Sequence, residues 1–285
     1  MKAVFKASYV MYAPMPYVLE ECLMNVYVKN GWNLLTDDRG RTPTLSDLYQ
    51  EIETVSRQLG YEPKIIMDIE AALKTRIRNL MTGAKGAMLN TTHTLPVHEL
   101  VSHPTVFELK SVVDDEEKAL LMGLILARIH EHIEAQGETQ KLRHVTVIEE
   151  AHHLLTNMAT KAGDPEAADP RRKVVEQLAD MLSEVRAYGE GIIIAEQIPT
   201  KLVPDAIKNT GTKIAHRLLA ADDRDVLGAT MCLDEEQKDA MTSLQVGEAI
   251  LSLDDYPIPF KAKIQDALTA FKVRIGETTD ETVQK

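Results

Sequence analysis

What this sequence contains little of excludes several classes of protein. Its two cysteines, Cys22 and Cys232, are far apart and belong to no CxxC pair, so neither a disulfide scaffold nor a zinc knuckle is indicated. No run of about eighteen apolar residues occurs, and the first residues lack the pattern of a signal peptide. Lys and Arg total 32 against 44 Asp and Glu, and the net charge of −12 argues against a surface that is basic all over. We therefore expect a cytoplasmic protein with no membrane contact, in which a basic channel inside an acidic shell remains possible.

The first hundred residues, 1–100, are expected to form a helical region that packs on the rest of the chain. Apolar residues repeat there at helical spacing, in the segments Val18–Tyr27, Leu45–Leu59 and Ile65–Met81. Gly31 and Gly83 follow the first and the third of these segments and are typical of helix ends. Thr44 with Asp47 three residues later resembles a capping box for the second.

From residue 101 to 265, short β-forming runs alternate with helical segments. The expected strands are Thr105–Leu109, the run that ends before Glu149, Ile192–Ala195, Lys213–His216, Glu248–Leu253 and Phe260–Ile264. A crossover helix is expected around Val174–Val185, and Pro257 with Pro259 should separate the last two strands. The alternation predicts an α/β fold whose sheet is covered on both faces, followed by a polar tail at residues 266–285.

The most informative stretch is HVTVIEEAHHLL, His144–Leu155, in which a buried β run stops on two adjacent acids, Glu149 and Glu150. This pattern is typical of a Walker B strand, whose first acid holds the Mg²⁺ shell and whose second polarises the attacking water. A pair of acids favoured by the dipole of a following helix is the plainer alternative. The run VTVI favours the first interpretation, because charges at the end of a buried strand lie in the crevice where α/β sheets bind ligands.

A second buried run, GIIIAEQ, ends on Gln197, an amide that can orient water near a γ-phosphate. Gln197 alone is a weak signal. Two parallel strands joined by one crossover, each ending on a polar group, would bring both groups to the same edge of the sheet. The paired histidines, His152 and His153, are expected on diverging sides of a helix and are not expected to bind a metal.

Arginines that a neighbouring subunit of a ring could supply are also present. Arg186 ends the crossover helix, at the edge of the sheet away from its own Glu149 and Glu150, and is the first candidate for such an arginine finger. A helix-dipole partner or a surface ion pair is an equally good interpretation of Arg186. Arg217 and Arg224 are weaker candidates for the same role.

A phosphate-binding loop is missing from this sequence, because no GxxxxGK is followed by Ser or Thr. GAKG at Gly83–Gly86 follows a helix, and GTK at Gly211–Lys213 precedes a strand. Neither has the strand–loop–helix order of a phosphate cradle, so we reject both.

An ordered series of segments resembles the carboxyl-terminal part of the ATPase domain in HerA-like translocases, of the FtsK and HerA branch of RecA-like motors. The resemblance extends from about Pro14 to Ile264. The segments that carry it are PMPYVLEECL, PTLSDLY, LKTRIRNLMTGAKGAMLN, PTVFELK, DDEEKALLMGLIL, HVTVIEEAHHLL, AYGEGIIIAEQIPTKL, IKNTGTKIAHRL and GEAIL.

The resemblance implies ATP hydrolysis in a hexameric ring that moves along duplex DNA, often beside a nuclease or another effector. It implies that Glu149 is the Mg²⁺-associated acid, Glu150 the catalytic glutamate and Gln197 the sensor, all three contacting the nucleotide. Arg186 would be a finger acting in trans, in a segment similar to the family's RKYG stretch.

Family members carry a small β-barrel and the P-loop strand and helix before the segments found here. In RecA-like sheets that strand lies between the sensor strand and the one matching Lys213–His216. Without it, Ile192–Ala195 is expected to have an open apolar edge. We therefore expect a RecA-like sheet that lacks its P-loop strand. We also expect that this chain by itself neither binds nor hydrolyses ATP.

Two other functions remain open at this stage. One is a non-catalytic assembly module that has lost nucleotide binding and acts through subunit contacts. The other is a type IV secretion or conjugation motor, which shares the RecA-like core but moves protein or single-stranded DNA at a membrane.

Overall fold

A computed structural model describes residues 2–36, 38–156, 175–176, 179–180 and 184–266. It is an α/β structure that divides into two compact units, residues 1–196 and 197–285. The domain boundaries expected at residues 100 and 265 stay predictions. The expected tail lies outside the described residues from residue 267 onward.

Helices make up most of the first unit. They are α1 (Lys2–Ser8), α2 (Met15–Lys29), α3 (Leu45–Gln58), α4 (Pro63–Leu80), α5 (Gly83–Leu89), α6 (Val97–Ser102) and α7 (Asp115–Glu134). The three helices predicted from periodicity correspond to α2, α3 and α4. The Thr44 hydroxyl accepts the Asp47 backbone N–H and the Asp47 carboxylate accepts the Thr44 N–H, so the predicted capping box is formed.

The core of this unit is built where α2, α3 and α4 pack together with α1 and α7. Leu19, Ile52, Leu73, Ile77 and Leu120 are each at most 2% exposed. Burying an aliphatic side chain of this size stabilises a fold by about 1.5–3 kcal/mol. This core includes α7, and the 3₁₀ turn Ala151–His153 packs against α7.

Two parallel strands complete the first unit, β1 (His144–Glu149) and β2 (Glu190–Ala195). Their register pairs His144 with Glu190 at one end and Glu149 with Ala195 at the other. The predicted adjacency of the two strands is thus confirmed. Of the predicted crossover helix, half of the residues lie outside the described part. Those described at positions 175–176, 179–180 and 184 are helical, and a 3₁₀ turn follows at Val185–Tyr188.

One face of this two-stranded sheet carries exposed apolar side chains. The expectation that both faces are covered stays a prediction, because half of the crossover helix lies outside the described residues. Val145, Val147 and Ile193 are 40%, 59% and 53% exposed, and the register places them on the same face. On the opposite face, Ile148 is only 4% exposed.

The prediction of a strand at Thr105–Leu109 is wrong, because this segment pairs with none of the described strands. Val106 is 85% exposed and Phe107 39% exposed. A run of β-formers becomes a strand only where a neighbouring backbone completes the ladder of hydrogen bonds. Here, among the described residues, no such neighbour is present.

The second unit contains an antiparallel sheet in the order β3 (Lys213–Ala215), β4 (Glu248–Leu253) and β5 (Tyr256–Lys263). Its helices are α8 (Pro204–Lys208), α9 (Ala221–Thr230) and α10 (Glu235–Ala240). The predicted capping box of Asp234 with Gln237 is present at the start of α10. Ala215, Met231, Met241, Leu244 and Ile250 form the core of this unit.

Pro257 and Pro259 were expected to break the chain between two strands, and this is wrong, since both lie inside β5. β5 is the outer strand of its sheet in the described residues and pairs with β4 alone. Proline has no N–H to donate, and an outer strand needs ladder bonds on one side only. The ladder is also irregular between Leu251 and Leu253.

Candidate active site at the ends of two parallel strands

The two acids of the Walker B pattern lie where β1 ends. Glu149 is the last residue of β1 and is exposed, and Glu150 begins the 3₁₀ turn Ala151–His153. Glu150 has φ 49° and ψ 46°, in the left-handed region that residues with a side chain rarely adopt. The sharp change of direction turns the chain out of the sheet immediately after the strand.

Backbone hydrogen bonds hold Glu150 on both sides. Its N–H donates to the carbonyl oxygen of Ala195, the last residue of β2, at 3.1 Å. Its own carbonyl oxygen accepts the N–H of His153, also at 3.1 Å. Strained backbone that is fixed by its surroundings is typical of active sites, and the Glu150 side chain stays 60% exposed.

A third anchor comes from a residue that sequence reasoning did not single out. One carboxylate oxygen of Glu196, Oε2, accepts the backbone N–H of His152 at 3.1 Å and lies 2.7 Å from Nδ1 of its ring. The Glu196 side chain is only 6% exposed. The signal available in the sequence was a carboxylate directly before Gln197, at the end of a buried strand.

His153 lies among charged groups of α7. Its Nδ1 is 3.3 Å from Oδ1 of Asp115, and its Nε2 is 3.4 Å from Nζ of Lys118 and 3.5 Å from Oε2 of Glu150. Burial, together with the positive charges of Lys118 and His152, lowers the pKa of His153. A neutral His153 is therefore favoured at neutral pH, which leaves the Glu150 carboxylate without a firm ion-pair partner there.

The rings of His152 and His153 are 4.5 Å apart, so they do not diverge as the sequence suggested. The reason is that they lie in a 3₁₀ turn, where His152 is drawn to Glu196. No group of three or more His, Cys, Asp or Glu side chains suited to hold a metal ion occurs among the described residues.

The donor set at the end of β1 fits a magnesium ion that is bound mainly by water and phosphate. Such sites use one or two carboxylates rather than a cage of protein ligands. Within the described part of the chain, no hydrogen bond or ion pair engages the Glu149 carboxylate. The Glu149 carboxylate could therefore serve as a ligand of Mg²⁺, an ion that neutralises charge in phosphoryl transfer.

The remaining candidates are distributed over both units. Gln197 is the second residue after β2 and opens the second unit. Arg186 is exposed in the 3₁₀ turn before β2, at the edge of the sheet opposite to Glu149. In the second unit, Arg217 is exposed two residues after β3. Arg224 is held locally, because its Nη1 donates to the Leu219 carbonyl at 2.6 Å and Nη2 lies 3.5 Å from Asp239.

The two lysines of the rejected glycine clusters have structural partners. Lys85 lies in α5 and donates to Oε1 of Glu117 at 2.6 Å, and the Glu117 side chain is 8% exposed. Lys213 donates to the carbonyl oxygen of Thr210, and burial lowers its pKa. Gly83–Leu89 is helical and follows α4, so GAKG is not a loop between a strand and a helix.

The class of fold that these elements define is α/β. In particular, the structure is similar to VirB4 of Thermoanaerobacter pseudethanolicus, with a TM-score of 0.69 at 18% identity, over 95% of this chain and 69% of VirB4. The genome packaging NTPase B204 from Sulfolobus turreted icosahedral virus 2, in complex with AMP, aligns with a TM-score of 0.41 at 16% identity, over 61% of this chain and 73% of B204. No protein-family model and no curated protein matches the sequence. None of the helices described here has both the length and the hydropathy needed to cross a bilayer.

Proposed function

We propose that this chain is the carboxyl-terminal part of an ATP-driven DNA translocase of HerA type. It works in the cytoplasm as a hexameric ring on duplex DNA, beside a nuclease or another effector. The phosphate-binding loop is supplied from outside these 285 residues. The chain contributes the acids, the sensor amide and the arginine finger.

The observation that carries this proposal is the parallel register of β1 and β2. Because Glu149 pairs with Ala195, both strands end at the same edge, where α/β sheets bind ligands. One strand delivers Glu149 and Glu150 to that edge, and the other ends two residues before Gln197. A helix-start pair of acids needs no such neighbour, so the register favours the Walker B interpretation.

Each residue has a distinct role in the proposal. Glu149 holds Mg²⁺, and Glu150, exposed and turned out of the sheet, accepts a proton from the attacking water. Gln197 orients the same water. Arg186, at the far edge of the sheet, acts on the nucleotide of the neighbouring subunit, and a finger of this kind is worth about 10³–10⁵ in turnover.

The exposed apolar side chains on one face of the two-stranded sheet support completion by another segment. Val145, Val147 and Ile193 form an apolar surface on strands that, in the described residues, pair only with each other. An exposed apolar face with an unpaired strand edge favours association. A P-loop strand and helix placed beside β2 would cover both.

The test is ATP turnover by the complete ATPase, meaning this chain together with the segment that carries the phosphate-binding loop. Glu150→Gln removes the base but keeps size and hydrogen-bonding capacity, so we expect turnover to be abolished while MgATP binding stays within about threefold. Glu138→Gln makes the same chemical change in the exposed loop after α7 and should leave turnover unchanged. Retained hydrolysis in Glu150→Gln would remove Glu150 from the catalytic role.

The missing cradle has its own test on the 285-residue chain alone. We expect no MgATP binding in the micromolar range, measured by titration calorimetry, because no backbone loop is available to surround the phosphates. Micromolar binding by the isolated chain would show that a phosphate site exists within it.

A type IV secretion or conjugation motor is the second candidate function. The similarity in fold to VirB4, over nearly the whole chain, favours keeping it beside the first. The substrate discriminates between them. Stimulation of the complete ATPase by duplex DNA supports the translocase, whereas stimulation only by single-stranded DNA or by a protein substrate supports the secretion motor.

A non-catalytic assembly module is the third possibility. It predicts that the complete assembly forms but hydrolyses no ATP, and that Glu150→Gln has no effect on any function. In the described residues, no hydrogen bond or ion pair holds the exposed Glu149 carboxylate, which leaves it available as a ligand and argues against this possibility.

A further inference from the structure

Two glutamates with buried side chains, Glu190 and Glu196, connect the β2 segment to β1 and to the turn that follows β1. One lies at each end of the sheet. At the amino-terminal end, Glu190 lies 2.8 Å from Nδ1 of His144 and accepts the Thr146 hydroxyl at 2.6 Å. At the carboxyl-terminal end, Glu196 accepts both donors of His152. The second pair lies beside Glu150, and no strand ladder requires it, since β2 has already ended at Ala195.

We propose that Glu196 is a positioning residue for the catalytic glutamate. It acts through His152, which follows Glu150 by two residues, and it rests on the role proposed above for Glu150. The chain from Ala195 to Glu196 fixes the turn twice, once at the Glu150 N–H and once at the His152 N–H. The backbone of Glu150 and Ala151 lies between these anchors, so both bonds oppose its relaxation toward ordinary helical angles.

The geometry shows why the turn needs such an anchor. Glu150 is in the left-handed region without being glycine, which costs about 1–2 kcal/mol. A turn of this kind persists only where surrounding bonds hold it. Releasing the His152 anchor lets Glu150 move, and a displacement of about 1 Å at a reacting group can cost about 100-fold in rate.

The backbone N–H and the ring Nδ1 of His152 both lie within hydrogen-bonding distance of a single oxygen of Glu196, Oε2. The amide oxygen of glutamine can therefore accept both bonds, whereas alanine accepts neither. This difference makes Glu196→Gln a conservative variant and Glu196→Ala a disruptive one.

A matched control is available in the helical core. Glu51 of α3 is a buried glutamate whose side chain, like that of Glu196, is 6% exposed. It accepts hydrogen bonds from Asn25 Nδ2 at 3.1 Å and from the Lys29 ammonium. Glu51→Ala should destabilise the protein as Glu196→Ala does. It lies in the helices and touches no residue of the turn.

The first measurement is amide hydrogen exchange in the isolated 285-residue chain. We expect Glu196→Ala to accelerate exchange in the turn at residues 150–153 by at least about tenfold relative to Glu51→Ala at equal thermal destabilisation. Glu196→Gln should stay within about threefold of the wild type. Equal exchange of the turn in the two alanine variants would overturn the proposal.

The second measurement is MgATP turnover by the complete ATPase. We expect Glu196→Ala to lower kcat about 10- to 100-fold with KM within about twofold, and Glu196→Gln to restore most of the rate. Glu51→Ala should keep kcat. An unchanged kcat in Glu196→Ala overturns the proposal even if exchange rises, whereas a wild-type assembly without turnover refutes the proposed function and the positioning role with it.

Discussion

The left-handed backbone of Glu150 leads to a prediction about stability that does not depend on any assay of function. Its φ of 49° and ψ of 46° are close to the ideal left-handed values. Replacing Glu150 by glycine removes a steric cost of about 1–2 kcal/mol. Against this, glycine loses about 0.5–1 kcal/mol through the greater freedom of the unfolded chain.

The lost side chain adds little to the cost. Glu150 is 60% exposed, and its contact of 3.5 Å with a histidine that is favoured in the neutral form contributes at most about 0.5 kcal/mol. We therefore expect Glu150→Gly to be neutral to stabilising, by up to about 1 kcal/mol. Glu149→Gly is the matched change one residue earlier, in regular strand, and should destabilise by about 0.5–1 kcal/mol.

Thermal unfolding separates the two variants, since 1 kcal/mol corresponds to about 2–4 °C in Tm for a unit of this size. Glu150→Gly is expected to melt at or above the wild-type temperature and Glu149→Gly below it. A Glu150→Gly variant that melts as low as Glu149→Gly would refute the left-handed conformation. A stabilised but inactive Glu150→Gly variant in the complete ATPase would be the expected result of strain kept at an active site.

Three further predictions concern the stability and reactivity of the chain. Lys85→Ala leaves the Glu117 carboxylate buried without its partner, so we expect the free energy of unfolding in urea to fall by about 2–3 kcal/mol. MgATP binding by the complete ATPase should stay unchanged. Loss of nucleotide binding in a folded variant would contradict our rejection of GAKG as a phosphate-binding loop. Burial raises the pKa of the Cys22 thiol to about 12, with a smaller contribution from the nearby Glu51 and Glu21. Iodoacetamide should therefore modify only the exposed Cys232 in the native chain and both cysteines in urea, as measured by mass spectrometry. Asp47→Ala removes a capping box and should cost about 1 kcal/mol in urea unfolding at neutral pH. Burial raises the pKa of the Asp47 carboxyl, but hydrogen bonds from Thr44 and Arg41 outweigh it and lower this pKa below 3.8. The stability that Asp47 contributes is therefore present above pH 3.8 and is lost as the pH falls through the lower pKa of the folded state. A stability difference between the wild type and Asp47→Ala that grows in acid would contradict this sign.

Sequence patterns predicted the elements whose causes are local. The capping boxes at Thr44 and Asp234 depend on residues three positions apart, and the helices depend on a repeat within one segment. The β run before Glu149 was equally clear, because it is continuous and ends abruptly on charge. What failed depends on distant partners: Thr105–Leu109 has β-forming residues but no described neighbour, and Pro257 and Pro259 are tolerated because β5 lies at the edge of its sheet.

The candidate site shows the same limit, since a contact that depends on a distant partner could not be predicted from the sequence. Glu149, Glu150 and Gln197 could be selected from the sequence because each ends a recognisable pattern, yet Glu196, next to Gln197, could not. Its partner, His152, is 44 residues away, and the two meet only because the register sets Glu149 opposite Ala195. Side chains alternate between the faces of a strand, so a slip of one residue between β1 and β2 would change which faces meet across the pair and shift Glu196 relative to His152. The bond between them is therefore a direct consequence of register, and we expect a register slip to break it.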